Sequence, residues 1–340
     1  MNEQALSTGM SLMFPIGDTG GVGEIRRGAV AMAKDIHFDE TQSGRIGIIV
    51  TELASNLAKH ATSGELIIRH IRHRGVNGME ILSVDKGPGI ADIGKCMEDG
   101  YSTAGSPGTG LGATVRLSDV FDIYSQENKG TVIVSQSWAK KLPATEMSHV
   151  QIGAICLPMH GEKACGDGWA LHHGSEGLHL LVSDGLGHGI IAAQATIAAI
   201  AHFNETPERT PREMMHSVHQ ALRSTRGTAL AAVAIKPEEA MLTFAGVGNI
   251  AGTILDGTKP RGLASYNGIV GHQVHKIQEI QYPWPEDAVL VMHSDGLSNR
   301  WKLEDYPGLR QRHCSLIAAI LYRDYQRGRD DVTVLVVRHQ

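Results

Sequence analysis

Apolar residues recur at helical spacing over 19–36, where Val22, Ile25, Ala29, Met32 and Ala33 share one side. They do so again over 41–60, where Ile46, Ile49, Val50, Leu53 and Leu57 form a second stripe. Past His60 the pattern turns strand-like. Strands are predicted over 65–71 and 79–84, joined across 75–78, and over 120–125 and 131–137 around a turn at 128–130. Between these pairs, 90–107 reads as a flexible run leading into a helix over 109–119. The polar stretch 140–149, with Pro143, reads as a boundary between one half at 1–140 and another at 146–340. Beyond it strands are predicted at 151–157, 163–172, 177–182, 228–235, 241–245, 250–255, 288–293 and 332–337. Helices are predicted at 187–203, 212–222 and 313–325. Strands that outnumber grouped helices indicate a layered sandwich rather than a doubly wound sheet.

Composition narrows the class without naming a chemistry. A chain of 340 residues suggests two domains, each large enough to bury its own core. A net charge of -5 argues against nucleic acid as the main partner. No apolar run has the ~18 residues of a spanning helix, so no membrane is expected. The first residues lack the basic and apolar regions of a signal peptide, so a cytoplasmic protein is expected. Cys96, Cys156, Cys165 and Cys314 form no C-x-x-C spacing, which indicates reduced thiols rather than a zinc or redox site. The histidine pairs 70/73 and 172/173 lack a matching third ligand.

Two groups of residues carry chemistry. In the first half Glu52, Asn56 and His60 stack on one helix face. That face could aim a carboxylate and an amide at a reaction, or simply be solvated. Asp85 ends a strand before Gly87-Pro88-Gly89, where a flat ring could pack on the backbone, or where the chain merely turns. Gly108, Gly110 and Gly112 open a helix whose free N–H groups favour phosphate, although a lone G-x-G-x-G is commonly a turn. In the second half Asp184, Asp295 and Asp330 each border an apolar strand, and Asp167 offers a fourth acid. Several carboxylates brought together by a sheet could hold hard divalent ions. A single Asp-Gly is more often a turn.

The order of these features resembles known families. Glu-x-x-x-Asn, Asp-x-Gly-x-Gly and Gly-x-Gly-x-Gly over 52–112 resemble the boxes of the GHKL ATPases. The stretches TELASNLAKHA and GTGLGATVRLSDVFDIYSQENKGT are most similar to the small RsbT- and RsbW-type serine kinases. That resemblance implies an α/β sandwich of the GHKL (Bergerat) type that binds ATP. Asn56 would hold Mg2+, Asp85 would read adenine, and Gly87, Gly89, Gly108, Gly110, Leu111 and Gly112 would line the nucleotide. Glu52 would orient a partner's hydroxyl, and 90–107 would be a lid. Residues 182–189, with Asp295-Gly296 and Asp330-Asp331, resemble the SpoIIE and RsbX branch of the PPM phosphatases, an α-β-β-α sandwich. By that resemblance two Mn2+ or Mg2+ ions sit on Asp184, the Gly185 carbonyl, Asp167, Asp295 and Asp330, with Asp184 bridging and Asp331 structural. The position three after Asp167, often acidic in the family, is Ala170, and no phosphate-binding arginine is evident. The segment 244–250 reads as a structural strand and turn.

Together the resemblances imply a bifunctional regulator that adds and removes phosphate on a STAS-domain protein, with a sigma factor or sensor protein as a further partner; a homodimer is compatible with them. The alternatives are a phosphatase with a nucleotide-sensing half and a non-enzymatic sigma-factor-binding module. Both activities running at once on one target would only consume ATP, so regulation of one against the other is expected.

Overall fold

A computed structural model of the chain describes residues 6–7, 10–97, 110–143, 150–174 and 177–339. It divides into two compact units, neither contiguous in sequence. One comprises Ser11–Thr145 with Gln311–Arg323, and the other Met1–Met10, Glu146–Arg310 and Asp324–Gln340.

The chain opens with the short strand β1 (Leu6–Ser7), which pairs in the second unit. The first unit begins with β2 (Leu12–Ile16), then α1 (Val22–Asp35) and α2 (Glu40–His60). Asp39 caps α2, accepting from the Gln42 N–H while the Gln42 side chain accepts from Asp39, a reciprocal box that fixes the first turn. There follow β3 (Gly64–His73), β4 (Val76–Asp85), the single turn α3 (Ile93–Cys96), α4 (Gly110–Leu117), β5 (Val120–Gln126) and β6 (Gly130–Trp138). The strands form one antiparallel sheet in the order β2-β3-β4-β6-β5. Leu66, Ile68, Met79, Ile81, Ile123 and Ile133 meet the stripes of α1 and α2 in one core. Strand β2 escapes prediction because Pro15 interrupts it; an edge strand tolerates that residue, and β2 is the edge.

The alternate positions of this sheet are buried too, including Ile67, Arg69, Glu80 and Leu82. Register places Arg69 opposite Glu80, and Glu80 opposite Gln136. Arg69 Nε donates to Glu80 Oε1 at 2.7 Å and Gln136 Nε2 to Glu80 Oε2 at 2.6 Å. Ser315, from the distant segment of this unit, donates to the same Oε2 at 2.6 Å. A buried carboxylate is tolerated because each of its oxygens is paired.

The second unit holds two sheets. Its elements are β7 (Val150–Leu157), β8 (Asp167–His173), β9 (Leu178–Gly185), α5 (Gly189–Glu205), α6 (Pro211–Ala221), β10 (Thr228–Lys236), β11 (Met241–Val247), β12 (Ala251–Leu255), β13 (Arg261–Gly262), β14 (Gly268–Ile269), β15 (Gln273–Val274), β16 (Ile280–Pro283), β17 (Val289–His293) and β18 (Val332–His339). One sheet runs β1-β8-β9-β10-β11-β16 and the other β13-β12-β17-β18-β7; β14 and β15 form a small ribbon. Alternate residues of both sheets, among them Leu180, Val233, Leu290 and Leu335, share one core. The other face of the first sheet is covered by α5 and α6 through Phe203, Met214, Met215 and Val218. Strand β8 starts at Asp167 rather than 163, because the loop before it carries Gly166, whose N–H is held by Asp331 at 2.8 Å.

Helix α7 (Cys314–Tyr325) lies in sequence between β17 and β18, yet through Arg323 it belongs to the first unit. Its residues from Cys314 to Arg323 are all buried, as expected of a helix apolar on every side. The cysteines are free; Cys156 and Cys165 lie 3.7 Å apart at sulfur, a proximity their sequence spacing did not reveal. Among the described residues no helix is long and apolar enough to cross a membrane.

Candidate functional site

The acidic residues of the second unit gather at strand ends. In the β8–β9 pair Asp167 stands opposite Asp184. Antiparallel β17 and β18 bring the end of one and the start of the other together, so Asp295 and Asp330 reach the same edge of their sheet. Two bonds join the sheets there. Ser294 Oγ donates to Asp167 Oδ2 at 2.5 Å, and the Asp295 backbone N–H donates to the Asp184 carboxylate. The strands approach so closely that a Cβ at Gly296 would strike the Asp331 carbonyl. That requirement explains the glycine after Asp295.

Electrostatics and hydrogen bonding distinguish Asp184, Asp167 and Asp331. Burial, then the charges of Asp295, Asp330 and Asp331, push Asp184 up to about 7, against the pull of the Asp295 N–H. Burial and the Asp184 charge hold Asp167 well above the usual carboxylate range, although the Ser294 bond opposes them. Burial also raises Asp331, whose oxygens accept from Met159 N at 2.7 Å and Gly166 N at 2.8 Å. Asp331 therefore ties two loops, and its neighbour Asp330 is the half-buried acid. Among the described residues no three acidic, cysteine or histidine side chains already close on a common point at ligating distance. What fits hard cations is the donor set: oxygen ligands whose mutual repulsion a divalent ion would relieve.

Several supporting residues lay beyond sequence reasoning. Asn249 Nδ2 donates to Asp295 Oδ2 at 2.7 Å, so the 244–250 turn reaches the acidic cluster as well as shaping the sheet. Its Gly-Val-Gly-Asn ending was the signal available. Behind Asp184, Ser183 Oγ meets Thr196 Oγ1 at 2.9 Å and Thr228 Oγ1 at 2.7 Å, and Thr228 Oγ1 lies 2.7 Å from the Asp184 carbonyl. His293 is buried; Trp301 Nε1, which can only donate, lies 3.2 Å from its Nε2. The proton therefore sits on Nδ1 and faces the Ser294 carbonyl at 2.8 Å. Burial lowers the His293 pKa, so a neutral imidazole braces the Ser294–Asp295 backbone.

In the first unit Glu52 and Asn56 lie on α2 half-buried, beside fully buried Leu53, and His60 is exposed. Asp85, at the end of β4, is half-buried and accepts from Gly87 N at 2.6 Å and from the Thr131 backbone. Burial raises its pKa, while those N–H groups and the charges of Arg323 and His60 act in the opposite sense. A Cβ at Gly87 would press on the His60 carbonyl, so the loop after Asp85 sits on the end of α2. Gly89 takes a positive φ of 78°. Gly110 opens α4, and Leu111 and Gly112 are buried in its first turn, which packs on α2. The loop after Asp85 thus meets the end of α2, and the helix that carries Gly110 to Gly112 packs on α2. Gly108 and 98–107 of the expected lid lie outside the described residues; its earlier part holds only α3.

Residues 18–136 match the histidine kinase-like ATPase domain, and residues 174–340 match stage II sporulation protein E (SpoIIE). Over 109 residues the chain is 39% identical to the serine/threonine-protein kinase RsbT of Bacillus subtilis (strain 168), covering 32% of this chain and 82% of that one. Over 157 residues it is 23% identical to the phosphoserine phosphatase RsbX of the same organism, covering 45% and 77% respectively. A solved structure from work on the bacterial stressosome, as a modular system adapted to control secondary messenger signaling, is 27% identical at a TM-score of 0.52. That match covers 56% of this chain and 100% of the other. The chain therefore belongs, through its first half, to the family of the serine/threonine kinase RsbT, and joins that kinase-like ATPase domain to a SpoIIE-type phosphatase domain.

Proposed function

We propose that this chain is a bifunctional partner-switching regulator, phosphorylating a serine or threonine on a STAS-type protein with ATP and hydrolysing the phosphorylated product. The observation that carries the reading is the meeting of Asp184, Asp295 and Asp330 at strand ends, in a chain that also sets Glu52 and Asn56 on the helix beside Asp85.

For hydrolysis, Asp184 and the Gly185 carbonyl, with Asp167, Asp295 and Asp330, would hold two manganese or magnesium ions. Such ions, when bound, activate a water and neutralise the phosphoryl oxygens. Asn249 fixes one Asp295 oxygen and leaves the other for a ligand. Asp331, already accepting two backbone N–H groups, is left to the scaffold, which favours Asp330 as the ligand. Ser294 and His293 orient Asp167 and Asp295.

For transfer, the Asp85 carboxylate would accept from the adenine amine, and the N-terminus of α4 would face the phosphates. Asn56 would contribute an amide oxygen to magnesium, and Glu52 would orient the attacking hydroxyl and take its proton. The γ-phosphoryl bond to ADP breaks as the bond to the partner's oxygen forms.

The test is to incubate the protein with γ-labelled ATP·Mg and purified STAS proteins of the same genome, then chelate free nucleotide metal and add manganese. Label should enter a serine or threonine and leave as inorganic phosphate. Glu52→Ala should abolish entry while ATP still binds, and Asp184→Asn should abolish release. Labelling unchanged in Glu52→Ala would remove that residue from the mechanism.

A further inference from the structure

We propose that α7 conveys the occupancy of the nucleotide site to the acidic cluster of the phosphatase half, an inference that rests on the nucleotide reading above. Helix α7 belongs to the first unit, but the chain on either side of it carries Asp295 and Asp330.

Within the first unit the helix is anchored at several places. His313 N donates to Asp122 Oδ2 at 2.9 Å and Arg312 Nη1 to Asp122 Oδ1 at 3.2 Å. Ser315 Oγ donates to buried Glu80. At the other end Arg323 Nη1 donates at 3.1 Å to the carbonyl of Asp85, the residue whose side chain would meet adenine. Within the second unit, the last residue of the helix and those just after it pair with the residues just after Asp295. Ser298 N donates to the Tyr325 carbonyl and Arg327 N to the Gly296 carbonyl, both at 2.9 Å. Leu297 and Gln326 form a bridge between these bonds.

A single residue, Asp324, therefore separates the residue bonded to Asp85 from the residue bonded to the Asp295 loop. The helix that leads to this point is buried from Cys314 to Arg323, and packed interiors transmit displacement rather than absorb it. A nucleotide that shifts the Asp85 backbone would bias Arg323, and with it the segment that leads into Asp330. Such coupling is a free energy shared by the two sites, so it must act in both directions. It supplies a physical route for the control that a kinase and a phosphatase in one chain require.

The experiment uses the full chain. ADP·Mg binding is first measured by calorimetry. Hydrogen exchange of 296–298 and 325–331 is then compared with and without ADP·Mg, alongside hydrolysis of para-nitrophenyl phosphate at fixed free manganese. Nucleotide should change exchange in both segments and shift turnover about fivefold or more, the range of ordinary allosteric couplings. Arg323→Met, which keeps the length of the side chain, should still bind ADP but lose both responses. If that variant does not fold, Asp122→Asn, which weakens the hold on Arg312 and His313, should reduce both responses. Nucleotide binding with neither response in the natural protein, or full responses in a folded Arg323→Met, overturns the proposal alone. Failure to bind ADP overturns the nucleotide reading and the coupling with it.

Discussion

Asp330 and Asp331 are adjacent in sequence and opposite in use. Asp331 is buried and accepts from Met159 and Gly166, whereas Asp330 faces the cluster half-buried. The Asp-Gly and Asp-Asp signals at strand ends made the acidic set legible, since a sheet brings strand ends together. The division of labour within it came only from the family resemblance, because Asp331's donors lie far away along the chain. Asn249 was hidden for the same reason: the Gly-Val-Gly-Asn signal marks a turn without naming the distant carboxylate that it meets. If Asp184 and Asp295 hold metal, Asn249→Ala should weaken manganese affinity by about 10- to 100-fold, the usual effect of losing a ligand's orienting partner. Titration of manganese against turnover checks this. Ser294→Ala should lie in the same range, because it releases both Asp167 and the Thr333 N–H. Unchanged affinity in both would place the ions elsewhere.

At the scale of elements, helical stripes and strand alternation located α1, α2 and α5 to α7 to within a few residues, and most of the longer strands. Prediction failed where local pattern is weak: β2 at an edge, and the short ribbon β14–β15. It also failed to foresee that both faces of β4 are buried, because Arg69, Glu80 and Gln136 look solvent-directed until α7 supplies Ser315. This row allows a stability prediction. Burial alone would raise the Glu80 carboxyl, but the charge and hydrogen bond of Arg69, then His313 and Ser315, outweigh it and hold the group below its ordinary 4.5. A carboxyl lowered by folding contributes stability above its unfolded pKa and loses it as pH falls through the folded value. Glu80→Gln should therefore destabilise the first unit at neutral pH by about 3–5 kcal/mol, as breaking one side of a buried pair does. The difference from the natural protein should shrink as pH drops below about 4.5. Urea unfolding followed at several pH values measures both; a pH-independent difference would contradict the pairing.

For the whole molecule, the sequence boundary at 140–149 anticipated two domains but not their discontinuity. A periodic stretch such as 313–325 announces a helix without announcing which core receives it, since an all-round apolar helix fits any interior. The coupling proposed above rests on that unread placement. The most direct test of the proposed metal centre is manganese stoichiometry by calorimetry on the full chain at neutral pH, for the natural protein and Asp184→Asn. Two ions per chain are expected in the first and a loss of both high-affinity sites in the second, with turnover falling at least ~100-fold. Two ions bound equally tightly by Asp184→Asn, with turnover intact, would contradict a centre built around Asp184.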